Sequence, residues 1–133
     1  MSVSGEQVNH GKKRTILVVD DSAYARRMIR FALVPYPRYE LIEALDGADA
    51  LAKFDGNRID LVITDLNMSG MDGFELIRAI RRRPEGELLP IIMLTGEVSE
   101  ANRELARAAG VSTLIFKPFV PEQISGLVEA IFN

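Results

Sequence analysis

Ile16-Leu17-Val18-Val19-Asp20-Asp21-Ser22 is the stretch that decides the fold. Four apolar residues in unbroken succession, with no polar alternation, suit a short strand covered on both faces, as in a parallel sheet packed between helices. Two acids follow at once. Ser22 then supplies a side-chain acceptor for a helix start, and Ala25, Met28, Ile29 and Ala32 continue at i, i+3, i+4 and i+7. A buried strand running through two acids into a capped helix opens a βα unit.

The unit recurs along the chain. Leu61–Ile63 and Ile91–Leu94 are continuously apolar, and Leu114–Phe116 is a shorter run of the same kind. Tyr39–Ala44 is more mixed, with Glu40 and Glu43 flanking Leu41-Ile42, which places it nearer a sheet edge. Helical stripes lie between the strands. Ala48, Leu51 and Ala52 mark the second, Phe74, Ile77 and Ile80 the third, Ala101, Leu105 and Ala108 the fourth, and Ile124, Leu127, Val128 and Ile131 the fifth. Ser99 is placed to cap the fourth helix, Gly110 to end it, and Pro121 to sit in the first turn of the last. Arg81, Arg82 and Arg83 close the third and suit its negative dipole end. Five strands alternating with five helices predict an α/β fold, a doubly wound (βα)5 unit around a five-stranded parallel sheet.

Composition narrows the function. The chain has 133 residues, 47% apolar and 26% charged, which suits one globular domain. Residues 1–14 read as a polar, flexible tail and residues 15–133 as the domain. The absence of cysteine removes disulfides, zinc-thiolate sites and thiol catalysis. No run is long enough for a membrane span and Met1–Asn9 lacks the apolar core of a signal peptide, so a cytoplasmic protein is expected. Net charge is −3, split as +2 over residues 1–14 and −5 beyond. An acidic body argues against direct nucleic-acid binding. Lys12-Lys13-Arg14 reads as a solvated lead-in to the first strand.

Ligands of open α/β sheets bind beyond the carboxyl ends of the strands. Asp20 and Asp21 end the first strand, Asp65 the third, Thr95 the fourth and Lys117 the fifth, while Leu45-Asp46-Gly47, following Tyr39–Ala44, reads as a turn. Each alone has an ordinary reading: a helix cap, a turn residue, a surface lysine. Together they place three acids, a hydroxyl and an ammonium on one sheet edge. Clustered carboxylates repel one another, and a hard divalent cation such as Mg2+ relieves that. A carboxylate beside such an ion can attack phosphorus and form an aspartyl phosphate, with lysine and hydroxyl countering charge on the transferring oxygens. The one histidine, His10, falls in the tail and is expected to be solvent-exposed.

From Thr15 to Asn133 the chain resembles the receiver domains of two-component response regulators, most closely the single-domain chemotaxis type. The resemblance is carried by Ile16–Ser22, by Leu61-Val-Ile-Thr-Asp-Leu-Asn-Met-Ser-Gly-Met-Asp-Gly73, by Pro90-Ile-Ile-Met-Leu-Thr-Gly96 and by Phe116-Lys-Pro-Phe119. It implies a flavodoxin-like, CheY-like sheet in the order 2-1-3-4-5. That order comes from the family, whose chemotaxis receiver is its standard example, and is not read from the residues.

The resemblance also implies roles. Asp65 is the expected phosphoacceptor. Asp21 is the expected direct Mg2+ ligand, Asp20 acts through water, and the Asn67 backbone carbonyl is the third protein ligand. Thr95 and Lys117 bind phosphoryl oxygens, and the bond from Lys117 to Pro118 is expected to be cis. Met71-Asp72-Gly73 forms the turn into the third helix. The family often carries Tyr or Phe three residues before the lysine, as the partner of the threonine in switching. Leu114 stands there instead, which puts the aromatic half of the switch in question and leaves ordinary packing as its plainer role. Asn67 and Glu97 occupy the two positions that tune phosphoryl lifetime, and their pairing resembles the fast-cycling chemotaxis regulators.

The phosphodonor implied is a histidine kinase or histidine phosphotransfer protein docking over the active-site loops and first helix. The chain ends after the last helical stripe, so output is expected through a protein contact on the fourth helix, fifth strand and fifth helix. A monomer, with a weak dimer as the alternative, and no turnover activity beyond chemistry at Asp65 complete the expectation. Three rivals stay open on the residues. A haloacid-dehalogenase-type phosphohydrolase shares the aspartyl phosphate but needs two aspartates one residue apart after a strand. A flavodoxin-like binding module needs a Ser, Thr and Gly phosphate loop where Asp20-Asp21 stand. A receiver that only binds partners would not require the acceptor, metal and lysine positions seen here.

Overall fold

The computed structural model describes residues 13–133. The expected tail, through residue 12, and His10 therefore lie outside the described residues. The elements are β1 (Arg14–Val19), α1 (Ala23–Leu33), β2 (Tyr39–Ala44), α2 (Gly47–Gly56), β3 (Leu61–Asp65), α3 (Gly73–Arg81), a 3-10 turn (Pro84–Gly86), β4 (Ile91–Thr95), α4 (Glu100–Ala109), β5 (Thr113–Phe116) and α5 (Pro121–Phe132). The five strands pair in parallel in the order β2-β1-β3-β4-β5.

Strands β3 and β4 are buried at every residue and β1 at its last four, which is why they read as continuous apolar runs. The mixed β2 is indeed an edge. Alternate side chains feed two cores. Leu17, Val19, Val62 and Met93 face α2, α3 and α4, and Ile16, Val18, Ile63 and Leu94 face α1 and α5. Tyr39 stacks near Tyr36 and Phe132, closing the end of the second core.

The caps stand where the residue types put them. Ser22, Ser99 and Asp72 each accept a backbone N–H of the helix they open, and Glu75 completes a capping box with Asp72. Gly110 ends α4 at φ 94°, the left-handed conformation glycine tolerates. Asp46 does more than turn the chain: its side chain accepts from Asp49 N–H and caps α2.

Two helical stripes come out in the wrong phase. In α4 the buried residues are Ala106 and Ala109, while Ala101, Leu105 and Ala108 face solvent. In α2 the core takes Gly47, Ala50 and Phe54, with Leu51 half-buried and Ala48 and Ala52 outside. Alanine lies on both faces of these helices, so spacing reveals the period without the face. The arginines after α3 also do more than meet a dipole. Arg81 donates to the carbonyls of Gly110, Gly86 and Leu89, at 2.6, 2.8 and 2.6 Å, tying two connections together. Arg83 forks onto Asp55.

Candidate functional site

The parallel register brings the carboxyl ends of β1, β3, β4 and β5 to one edge, and the polar residues that follow them meet there. One carboxylate oxygen from each of Asp20, Asp21 and Asp65 falls within 4.8 Å of the others. Lys117 Nζ donates to Asp65 Oδ1 at 2.9 Å and lies 3.5 Å from Asp20 Oδ2, an ion pair beyond hydrogen-bond length. Thr95 completes the edge. It is 1% exposed, and its Oγ1 accepts from Glu97 N–H at 3.0 Å. The Lys117–Pro118 peptide bond is cis.

Backbone packing fixes these positions. Gly73 N–H donates to Leu66 O at 2.8 Å, so α3 begins directly against the peptide that follows Asp65. Thr64 Oγ1 donates to the Asp65 carbonyl at 2.9 Å. Lys117 N–H donates to Thr95 O at 2.8 Å, which aligns the ends of β4 and β5.

The electrostatics of the cluster are dominated by its three acids and one ammonium. Burial pushes the Asp20 carboxyl above the usual carboxylate range, and the charges of Asp65 and Asp21 add to that against the Ser22 N–H and Lys117. Asp20 Oδ1 accepts from Ser22 N–H at 2.9 Å, but Oδ2 is buried and lacks a hydrogen-bond donor. Burial alone would depress Lys117, yet Asp65 and Asp20 outweigh it and hold its ammonium above the ordinary lysine value. An orphaned carboxylate oxygen, two further carboxylates within reach and no sulfur or imidazole form an all-oxygen donor set, which suits a hard divalent ion.

Several contributors give no signal in the sequence. Arg26 Nη1 donates to the Asp20 backbone carbonyl at 2.6 Å while its Nε pairs with Glu43 at 2.9 Å, so a residue of α1 and one of β2 together hold the acid loop. Arg30 grips the other oxygen of Glu43. Burial raises Glu43, but the two arginines outweigh it and hold its carboxyl below the ordinary glutamate value. Asn67 and Glu97 also touch, with Asn67 Nδ2 donating to Glu97 Oε2 at 3.3 Å, and Asn102 Nδ2 donating to Glu97 Oε1 at 3.0 Å. Leu114 is half-buried in β5, opposite Met93 in the sheet register and packed against that core.

A hollow of about 500 Å³ lined by Ser22, Tyr24, Ala25, Met28, Lys117, Pro118 and Phe119 adjoins the cluster. A wider one of about 770 Å³ lies at the opposite end of the sheet, between residues 54–60 and 84–90, away from this chemistry.

Residues 16–129 match the response regulator receiver domain family. The chain is 37% identical over 119 residues to the chemotaxis protein CheY1 of Helicobacter pylori, covering 89% of this chain and 96% of that one. It is 42% identical over 128 residues to the transcriptional regulatory protein ResD of Bacillus subtilis, covering 96% of this chain but spanning only 50% of ResD. The solved chemotaxis protein CheY4 of Vibrio cholerae superposes with a TM-score of 0.84 at 36% identity, covering 90% of this chain and 98% of that one. With nearly the whole strand-and-helix body matched in sequence and in shape, the chain belongs to the response regulator receiver domain family of two-component systems, CheY-like in fold.

Proposed function

We propose that Asp65 accepts a phosphoryl group from a histidine kinase or histidine phosphotransfer protein, in the presence of Mg2+, and that the phosphorylated chain then switches a protein-binding surface. The observation that carries the reading is the 2.9 Å contact of Lys117 Nζ with Asp65 Oδ1 inside a three-carboxylate cluster. A nucleophile, a cation for the transferred oxygens and a metal-ligand set then share one point.

In this reading an Asp65 carboxylate oxygen attacks phosphorus, the bond from phosphorus to the donor imidazole nitrogen breaks, and the imidazole leaves. Lys117 meets one phosphoryl oxygen and the Thr95 hydroxyl another, so negative charge is countered where it gathers. Asp20, Asp21, Asp65 and the Asn67 carbonyl would hold Mg2+, which when bound would neutralise the acids and the incoming phosphoryl oxygens. Asp21 would be the direct ligand and Asp20 would act through water, its carboxylate set by Ser22 N–H and its carbonyl held by Arg26. The chemistry is confined to the phosphorylation and dephosphorylation of Asp65 itself, so a signalling protein and not a turnover enzyme is the reading. The Asn67 and Glu97 pair supports a short-lived phosphorylated state.

The donor protein docks over the active-site loops and α1, where Tyr24 is exposed beside the hollow next to Lys117. Output passes through α4, β5 and α5. There Ala101, Leu105 and Ala108 give α4 an apolar outer face, and Arg103 lies over the Phe116 ring at 4.8 Å. No helix among the described residues is long and apolar enough to cross a membrane. A cytoplasmic chain that works as a monomer, with weak dimerisation as the alternative, completes the proposal.

Intact mass after incubation with acetyl phosphate tests it, with and without Mg2+ and beside Asp65→Ala. One phosphoryl adduct that needs both Mg2+ and Asp65 is the expected result. No adduct, together with no binding of a beryllofluoride mimic, would replace this reading with a phosphate-independent interaction module. Steady hydrolysis of small phosphate esters would replace it with a phosphohydrolase.

A further inference from the structure

Glu97 sits between the mouth of the site and helix α4. Its carboxylate accepts from Asn67 Nδ2 at 3.3 Å on one oxygen and from Asn102 Nδ2 at 3.0 Å on the other. A carboxylate only accepts, so both amides present their NH2 groups to it. Asn67 stands two residues beyond Asp65, and Glu97 two beyond Thr95. The carboxylate therefore spans the gap between the loops that follow the paired strands β3 and β4. Asn102 is in the first turn of α4, where Ser99 Oγ already accepts its backbone N–H at 3.0 Å. Its side-chain amide is thus left over from capping and is spent on Glu97.

We infer that Asn102 is a positioning residue for the lifetime of the phosphorylated state, acting through Glu97; this rests on the receiver reading above. Hydrolysis forms a bond from a water oxygen to phosphorus and breaks the one from phosphorus to the Asp65 oxygen. It releases the Asp65 carboxylate, inorganic phosphate and a proton. The incoming water must reach phosphorus opposite the Asp65 oxygen, through the mouth that Glu97 crosses. Held at both oxygens, the carboxylate stays across it. Without Asn102 only the longer Asn67 contact remains, the side chain swings out, and water enters more freely. The same contact joins the mouth to the first turn of α4, so a partner that grips α4 there alters the lifetime through one side chain. This link does not depend on an aromatic residue at position 114, where the chain has leucine.

The test begins on the full, unphosphorylated chain. Asn102→Ala is expected to shift the side-chain NH2 signals of Asn67 in a 1H-15N spectrum, and unmoved signals would overturn the bridge. The second arm loads the protein with acetyl phosphate and Mg2+ and follows loss of the adduct. Asn102→Ala is expected to shorten its lifetime at least threefold, and to change nothing further in a Glu97→Ala background. An unchanged or longer lifetime, or the same shortening without Glu97, would overturn the inference. Asn102→Asp separates positioning from simple helix support. An acid in the first turn favours the helix but repels Glu97, so the bridge requires shortening at a thermal stability no lower than wild type, and a wild-type lifetime would refute it. No adduct on the wild-type chain would overturn the receiver reading itself and this inference with it; the wild-type control distinguishes that case from failure of the bridge alone.

Discussion

Gly73 opens α3 with its Cα pressed against the peptide of Asp65. A Cβ built there would lie 2.5 Å from the Asp65 carbonyl oxygen and 2.9 Å from Leu66 Cα. Both are backbone atoms, so neither can rotate away. The helix that follows the Asp65 loop can approach this closely only with glycine at that point.

Gly73→Ala is therefore expected to destabilise the protein by about 1–3 kcal/mol, the usual penalty of overpacking a filled site, despite alanine's better helix propensity, worth up to about 1 kcal/mol. Relief comes by shifting the acceptor loop, so adduct formation at Asp65 slows as well. Thermal melts and the acetyl phosphate assay check the two effects. A variant as stable and as reactive as wild type would show that α3 can move without the loop.

Asp20 has a folded-state pKa raised by burial and by its acidic neighbours. For an acid the sign is then unfavourable at neutral pH: stability is greatest with the group protonated and falls as pH rises above its unfolded value, about 3.9. Asp20→Asn is expected to stabilise the metal-free protein at pH 7 by roughly 1 kcal/mol, the scale on which a buried acceptor without a donor costs stability. Mg2+ is expected to raise the melting temperature of the wild type, and Asp20→Asn to abolish most of that rise. Melting with and without Mg2+ reads both. An equal Mg2+ response in the variant would remove Asp20 from the ligand set.

Glu43 has the opposite sign. Arg30 and Arg26 hold its carboxyl below the ordinary value, so its contribution is present above the unfolded pKa, about 4.3, and is lost as pH falls through the lower folded value. Glu43→Gln is expected to lose about 1 kcal/mol at pH 7, and the difference from wild type closes as pH falls below that range. Because Arg26 also grips the Asp20 carbonyl, Mg2+ affinity should weaken modestly in the same variant. Denaturant melts at several pH values test the first point and calorimetric Mg2+ titration the second. A pH-independent difference would mean the loss is packing and not charge.

Arg81 gathers the carbonyls of Gly86, Leu89 and Gly110 from two connections on the far side of α3. Arg81→Ala strands them and is expected to cost about 2–4 kcal/mol, the sum of a few lost charge-assisted bonds. Arg81→Lys should recover only part, since an ammonium lacks the planar fork. Adduct formation in the surviving folded fraction should be unchanged, because the clamp is remote from Asp65. Urea denaturation beside the phosphorylation assay decides this, and a slowed acceptor would show that the clamp reaches the site.

The order of acids, hydroxyl and lysine was legible in the residues because each stands at the carboxyl end of an apolar strand, and a parallel sheet gathers strand ends at one edge. Ser22, Ser99 and Gly110 were legible because caps are local chemistry. The faces of α2 and α4 were not, since alanine on both sides leaves the phase to whatever the helix packs against. Nor was Arg26 on the Asp20 carbonyl, Arg81 on Gly110 or Asn102 on Glu97. Each is an ordinary polar residue on a helix until its partner is known.

The sequence by itself thus determined the alternation of strands and helices, the caps and which polar side chains follow the strands, because periodicity and capping act within a few residues of chain. Only the tertiary structure decided which helix faces meet the core, that the buried Asp20 oxygen has no donor, and that Glu97 joins Asn67 to Asn102. Those outcomes depend on contacts between strands and helices distant in the chain, whose geometry is set when the whole core packs and not before.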